Sequence, residues 1–387
     1  MNVDFHYYGT YTAARVVGFR HNEAVVIAHA AQYVDDSDQA KIVTFTDFVS
    51  TPTVHTHSEI LKIFATKKVQ EARQHEIARV WSCFHFLPGN YENDIKKAHT
   101  GVKKHETFIP FKPIKWEFNG KATEQFKLMC LPNNEIVKEM VNDVTIHKLK
   151  EHFLELLGIR MHVLADTWAH MYHVGISAWF INEAYDVKEA NGNIPNWLCD
   201  PLFNDSLTLN KCTCTPRALY YNSWPYLGHG RMGHFPDYGF KHYFYRPCWS
   251  NSMVEKNNPE HFLNAFKQMV KAMQCIMGGE NFNNGFAELN TAVETIVKDV
   301  IATKAIDQTA AWKDAIKKLK AKALIEDDGN ELPNYDANKW INEYKNKQSS
   351  DSKRDSSYYK FNMAASLHVN LVETVLARNK IYLPKEL

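Results

Sequence analysis

Ten residues near the middle of the chain, Met161-His162-Val163-Leu164-Ala165-Asp166-Thr167-Trp168-Ala169-His170, constrain the fold more than any others. His162, Asp166 and His170 recur at i, i+4 and i+8, so on a helix all three project from one face. Leu164, Ala165, Trp168 and Ala169 surround them with apolar surface. Such a segment is buried, and three unpaired titratable groups in apolar surroundings are costly. A bound metal satisfies them. Imidazole nitrogen and carboxylate oxygen are ligands that zinc accepts, and a helix fixes their separation before any metal arrives. A polar helix face with one or two core histidines would share the spacing. His173, a further turn along, stands between the two readings.

The chain contains 19 histidines, many for a protein with a net charge of only +1. A second cluster is Gly228-His229-Gly230-Arg231-Met232-Gly233-His234-Phe235-Pro236-Asp237. It contains GxGxxG, but a dinucleotide-binding loop follows a strand and opens a helix; this one sits in Pro- and Tyr-rich chain. What remains is His229 or His234, with Asp237, as ligands on a pliable backbone. Asp4 and His6 precede the first helix. Asp35 and Asp36 end the second, where acidic groups are unfavourable beside a helix C-terminus unless a cation compensates. His55 and His57 alternate around Thr56 in extended chain and point the same way. Five ligand-bearing stretches are more than one zinc ion needs, so two to three ions are expected.

Helical patterns cover 7–17, 23–33, 58–84, the long stretch 143–175, where Gly158 is a candidate break, and then 259–277, 282–303, 308–323, 336–347 and 357–379. Residues 41–57 read as a strand or extended loop, 86–134 as loop, 187–258 as irregular, and 346–357 as a solvated linker. The fold class is therefore mainly α: a zinc-binding catalytic core over 1–258, with a C-terminal helical extension over 259–387 packed on it. The two form one continuous domain if the core is shared.

The charge balance, 45 basic against 44 acidic residues, excludes the basic excess of a protein that grips many phosphates, and no stable nucleic-acid complex is expected. Seven dispersed cysteines, with one CxC pair at Cys212 and Cys214 and no CxxC, do not make a disulfide scaffold and favour a reducing compartment. The first residues lack the pattern of a signal peptide, and no segment reaches the roughly 18 apolar residues of a membrane span. The expectation is a cytoplasmic protein, or one exported by a signal-independent route.

With its DFHYYGTY start and HVLADTWAH helix, the chain resembles the zinc-dependent phospholipases C and the related single-strand-specific zinc nucleases over roughly residues 1 to 245. The resemblance implies a mainly helical fold holding three zinc ions. Their ligands follow the order His6, Asp35 or Asp36, His57 or His55, His162 and Asp166, His170, then His229 or His234 with Asp237. It also implies that Asp166 bridges two ions, and that Asp35 or Asp36 ligates and acts as general base. There are two departures. The better-known members use the amino group of an N-terminal tryptophan as a ligand, a place this resemblance leaves to Asp4 or another group. Their final pair is spaced His-x-x-x-Glu/Asp, whereas here either histidine fits differently.

The expected activity is hydrolysis of the glycerol-side phosphodiester bond of a glycerophospholipid, with a membrane surface as the partner. The alternatives are a zinc nuclease or nucleotidase, and a non-catalytic metal-stabilised interaction module. Tyr220 to Trp249 holds 11 Tyr, Trp and Phe residues. They suit a cage for a quaternary ammonium, a stacked base, a lipid interface or a loop packed on the core.

Overall fold

The computed structural model describes residues 1–37, 42–44, 50–52, 78–90, 125–176, 178–192, 227–247, 249–250 and 253–383. A π-helical turn, Asp4–Gly9, runs directly into α1 (Thr10–Val17), which ends at Gly18 in the left-handed region. Helix α2 (His21–Asp36) follows, and then a short antiparallel pair, β1 (Ile42–Thr44) with β2 (Ser50–Pro52). Helical residues 78–84 lead to α3 (Glu135–Ile146), α4 (Phe153–Ala169) and the short α5 (Trp179–Asn182). Strands β3 (Ala184–Glu189), β4 (His242–Pro247) and β5 (Val254–Asn257) form an antiparallel sheet in that order. The remaining helices are α6 (Asn258–Gly278), α7 (Thr291–Ile301), α8 (Thr309–Ala321), α9 (Lys339–Asn346), α10 (Ser350–Arg354) and α11 (Ser357–Arg378). The protein is mainly α. No helix among the described residues is long and apolar enough to cross a membrane.

Helix α4 is the axis. Nearly its whole length is buried, as expected of a helix apolar on every side. On one side lies α2, whose Ile27, Ala28, Ala30 and Ala31 are small or flat enough for the backbones to approach. Gly158 is the point of closest approach. A β-carbon there would meet the Ile27 carbonyl oxygen and lie 2.6 Å from Ala30 Cβ. The glycine thus sits within an unbroken helix because α2 needs the space. The break falls at 147–152, which divides the expected 143–175 helix into α3 and α4. Arg160, fully buried, ties the two together through the Met140 carbonyl (2.7 Å) and Asp143 (2.6 Å).

Helices α6 and α11 close the other sides of α4. Trp168 donates to Gln268 of α6 at 2.9 Å. One hydrophobic core runs from Met1 to Ile381, so both the 1–258 and the 259–387 segments contribute to it. His368 of α11 donates through Nε2 to the Cys83 carbonyl at 2.8 Å and so fixes the 78–84 segment.

Part of 187–258, expected to be irregular, is sheet. Tyr243, Tyr245 and Lys256 are buried on it, and Tyr243 stands opposite Lys256. The Lys256 ammonium donates to the carbonyls of Trp168 (2.9 Å) and Ala169 (3.0 Å). A cation at a helix C-terminus satisfies orphan carbonyls and opposes the helix dipole, so the sheet is anchored under the end of α4. Burial lowers the Lys256 pKa to about 7. The expected linker 346–357 contains α10, started by Ser349 as N-cap.

Two outcomes follow for stability. Gly158→Ala sets about 1 kcal/mol of helix propensity against insertion of a methyl group into backbone. Overpacking wins, and a loss of about 1–3 kcal/mol is expected in urea unfolding. Burial lowers the His368 pKa to about 3. The unfolded chain therefore takes up that proton first as pH falls below about 6.5, and stability declines from there towards pH 3. His368→Leu is expected to remove on the order of 2 kcal/mol of the difference in unfolding free energy between pH 6.5 and 5.

Candidate metal centre

The face of α4 that carries His162 and Asp166 points into the protein, where both are essentially without solvent exposure. Three other parts of the chain meet it. The π-helical turn supplies His6, the last turn of α2 supplies Asp35, and the residue after the 78–84 helix supplies His85. His170 caps the C-terminus of α4 and faces His229 and Asp237, which lie on the 3-10 turns between residue 227 and β4. The result is three groups that could each hold a metal ion: His6, His162 and Asp166; Asp35, His85 and His162; His170, His229 and Asp237.

Backbone hydrogen bonds register these loops with one another. Gly89 donates to Met129, Cys130 to His173, Tyr172 to Cys130, and Gly228 to Val174. Asn182 clasps the loop after α4 through Val174 and Ile176. Gly228 is obligatory in two respects: its φ is +54°, and a β-carbon would run into the Phe86 ring, with Cε2 at 2.8 Å. That ring stacks on His170, with centroids 4.6 Å apart.

Asp166 is the hinge of the arrangement. Its Oδ1 lies 3.1 Å from His6 Nε2 and 2.6 Å from the Met1 amino nitrogen. Its Oδ2 lies 3.1 Å from His162 Nε2 and 3.4 Å from His85 Nδ1. His85 Nδ1 is in turn 3.3 Å from His162 Nε2 and 3.7 Å from Asp35 Oδ1. In the third group His170 Nε2 is 3.2 Å, and His229 Nε2 3.5 Å, from Asp237 Oδ1. The Met1 amine sits 3.4 Å from both His170 Nε2 and Asp237 Oδ1. Ligand bonds of about 2.0–2.1 Å in a tetrahedron leave the donor atoms about 3.3 Å apart. The separations between His and Asp ligand atoms, 3.1–3.7 Å, lie near that edge.

The polar atoms in this cluster support the same fit. His6 Nδ1 and Nε2, His162 Nδ1 and Asp166 Oδ2 are buried without an aligned hydrogen bond, although unsatisfied buried groups cost about 1–3 kcal/mol each. His170 Nδ1 lies 2.7 Å from the His85 carbonyl, and His229 Nδ1 lies 2.8 Å from the Gly233 carbonyl. A carbonyl only accepts, so each Nδ1 carries the proton and each Nε2 turns a lone pair inward, the tautomer a metal requires.

Charge is concentrated to match. Burial keeps His6 well below its ordinary value, and lowers His162 and His170 to about 4. Burial opposes the negative charge of Asp166, but His170, the Met1 amine, His162 and His6 outweigh it and hold the carboxyl well below the ordinary range. Asp237 is held down in the same way by His229 and the amine. Burial opposes charge on the Met1 amine too, yet Asp166, Asp237 and Asp35 raise its pKa to about 10. Burial pushes Asp35 well above its usual range, with the other carboxylates adding to it.

Among the sequence candidates, the cluster includes His6, Asp35, His162, Asp166, His170, His229 and Asp237. Asp4 faces elsewhere: Asn2 donates to it at 2.9 Å, and burial raises its pKa to about 6. Asp36 accepts from Tyr335 and Gln32. His234 has 41% of its side chain exposed and lies 3.3 Å from Asp237 Oδ2, outside the third group. His173 is buried beside Tyr245 but belongs to no group. His55 and His57 lie outside the described residues. One participant escaped the sequence reading: His85, whose only mark is its place after an apolar helix.

Asp166→Asn and His85→Ala are expected to lower bound metal, measured by elemental analysis after dialysis, by at least one ion per chain. Asp4→Asn and His234→Ala are expected to leave it unchanged.

No curated protein and no solved structure matches the chain. A family model described as a family of unknown function, DUF6765, matches residues 1–376. The chain therefore belongs to the DUF6765 family.

Proposed function

We propose that this protein is a zinc-dependent phosphodiesterase of the phospholipase C type. It would hydrolyse the glycerol-side phosphodiester bond of a glycerophospholipid to diacylglycerol and a phosphorylated head group. The observation that carries this reading is Asp166, whose Oδ1 faces His6 while its Oδ2 faces His162 and His85. A carboxylate so placed suits two ions held close together. The third group, His170, His229 and Asp237, lies against the same Met1 amine that contacts Asp166. Three ions are therefore the reading, held by His6 and Asp166; by Asp35, His85, His162 and Asp166; and by His170, His229 and Asp237. Their order along the chain follows that of the zinc phospholipases C and zinc nucleases, with His85 in the place assigned to His57 or His55.

Zinc bound there would neutralise phosphodiester oxygens and lower the pKa of water. The chain's own groups supply the rest. Asp35 has 24% of its side chain exposed, against 12% for Asp237 and 1% for Asp166. It is the carboxylate best placed to orient an incoming water and take its proton as the water oxygen joins phosphorus. The glycerol oxygen then leaves and is protonated from solvent. His170 and His229, held by their carbonyl partners, keep their inward nitrogens aligned throughout.

Zinc-loaded protein is expected to release diacylglycerol from phosphatidylcholine vesicles. EDTA should stop the reaction and Zn²⁺ restore it, and metal affinity should weaken below about pH 6 as imidazole ligands protonate. Cleavage of single-stranded DNA in place of lipid would move the assignment to the nucleases. Bound zinc with no turnover on either substrate would reduce the protein to a metal-stabilised interaction module and overturn the enzymatic reading.

A further inference from the structure

Asp35 and Asp36 are adjacent in sequence, yet they face different surroundings. Asp35 looks toward His85 and His162. Asp36 looks outward, where the Tyr335 hydroxyl donates to its Oδ2 at 2.7 Å and the Gln32 side chain donates at 3.2 Å. Two acidic side chains end a helix whose last turn holds no basic residue, the end that disfavours negative charge. A dedicated donor for one of them is therefore a specific feature of this corner.

The Tyr335 ring touches a second element of the metal centre. Its centroid lies 5.3 Å from that of Tyr7, the residue after His6, and 4.9 Å from that of His29 on α2. His29 lies in turn against Trp340 of α9, with tilted rings and centroids 4.1 Å apart. The 335–340 segment therefore lies along one side of α2 while Ile27, Ala30 and Gly158 close the other. Through one side chain it contacts the neighbour of His6 and the neighbour of Asp35. These two candidate ligands come from different groups of the cluster.

We propose that Tyr335 is a positioning residue of the metal centre: its ring and hydroxyl together set the π-helical turn and the end of α2 at the spacing that lets His6 and Asp35 reach their ions. The inference rests on the metal-centre reading above and gives the C-terminal segment a role in it. The hydroxyl fixes the rotation of the last turn of α2. With Asp36 held outward, Asp35, about 100° away around the helix, stays turned inward. Without it, Asp36 is free to compete for the cation, and Asp35 loses its fixed direction.

The test is zinc affinity of the full chain by competition with a chromophoric chelator, read beside the thermal midpoint of the metal-free protein. Tyr335→Phe keeps the ring and removes the donor. It is expected to weaken the tightest affected site roughly threefold to tenfold, toward the lower end of outer-shell effects, with the metal-free midpoint little changed. Asp36→Asn is expected to weaken binding similarly, and the double variant to be no worse than either single one, as for two halves of one interaction. Wild-type affinity in Tyr335→Phe, or full additivity in the double variant, would overturn the role of Tyr335 while leaving the metal centre standing. A wild-type chain that binds no zinc would overturn both.

Discussion

A single carboxylate, that of Asp166, is surrounded by more polar atoms than its own charge can satisfy. It is almost wholly buried and lies within about hydrogen-bond distance of His6, His162, His85 and the Met1 amine. A carboxylate only accepts, so it cannot satisfy the lone pairs of these neutral, desolvated imidazoles, and neither ring nitrogen of His6 has an aligned partner. The rest of the architecture is consistent with a fold that assembles such a cluster around cations, since cations resolve its electrostatics without further hydrogen bonds.

The scaffold explains how distant segments hold so many polar groups in place. Helix α4 carries the central pair and is gripped by α2 at the glycine contact, by α6 through Trp168 and Gln268, and by Lys256 at its C-terminal carbonyls. The loops that carry the other groups are joined to one another by backbone hydrogen bonds. Rigid elements thus present the central groups, and the loops are registered against them. A preorganised site of this kind does not need the metal to order its ligands.

The helices were largely legible because their signals are local: apolar periodicity, caps and glycine stops. The trio His162, Asp166 and His170 was legible for the same reason, since a spacing of four residues on a helix is a statement about one face wherever the helix packs. The sheet was less so. Its strands β4 and β5 lie in aromatic, Pro-containing chain, and the pairing of β4 with the distant β3 is a non-local event. His85 left no trace beyond a histidine after an apolar segment, and its role depends on the 78–84 helix being held by His368 from the far end of the chain.

The sequence by itself determined which chemistry was available: a mainly helical chain, a buried face bearing imidazole and carboxylate at ligand spacing, and acidic residues where a helix end wants a cation. Only the tertiary structure decided which side chains converge. Asp35 and Asp36, or His229 and His234, are equivalent by composition and nearly so by position. The rotational phase of α2 against α4 turns Asp35 in and Asp36 out, and the carbonyl of Gly233 fixes the ring of His229. Asp4 carries the right group but is buried away from the cluster, where it accepts from Asn2. Phase and loop registration arise from packing between segments far apart in the chain, and local sequence does not encode them.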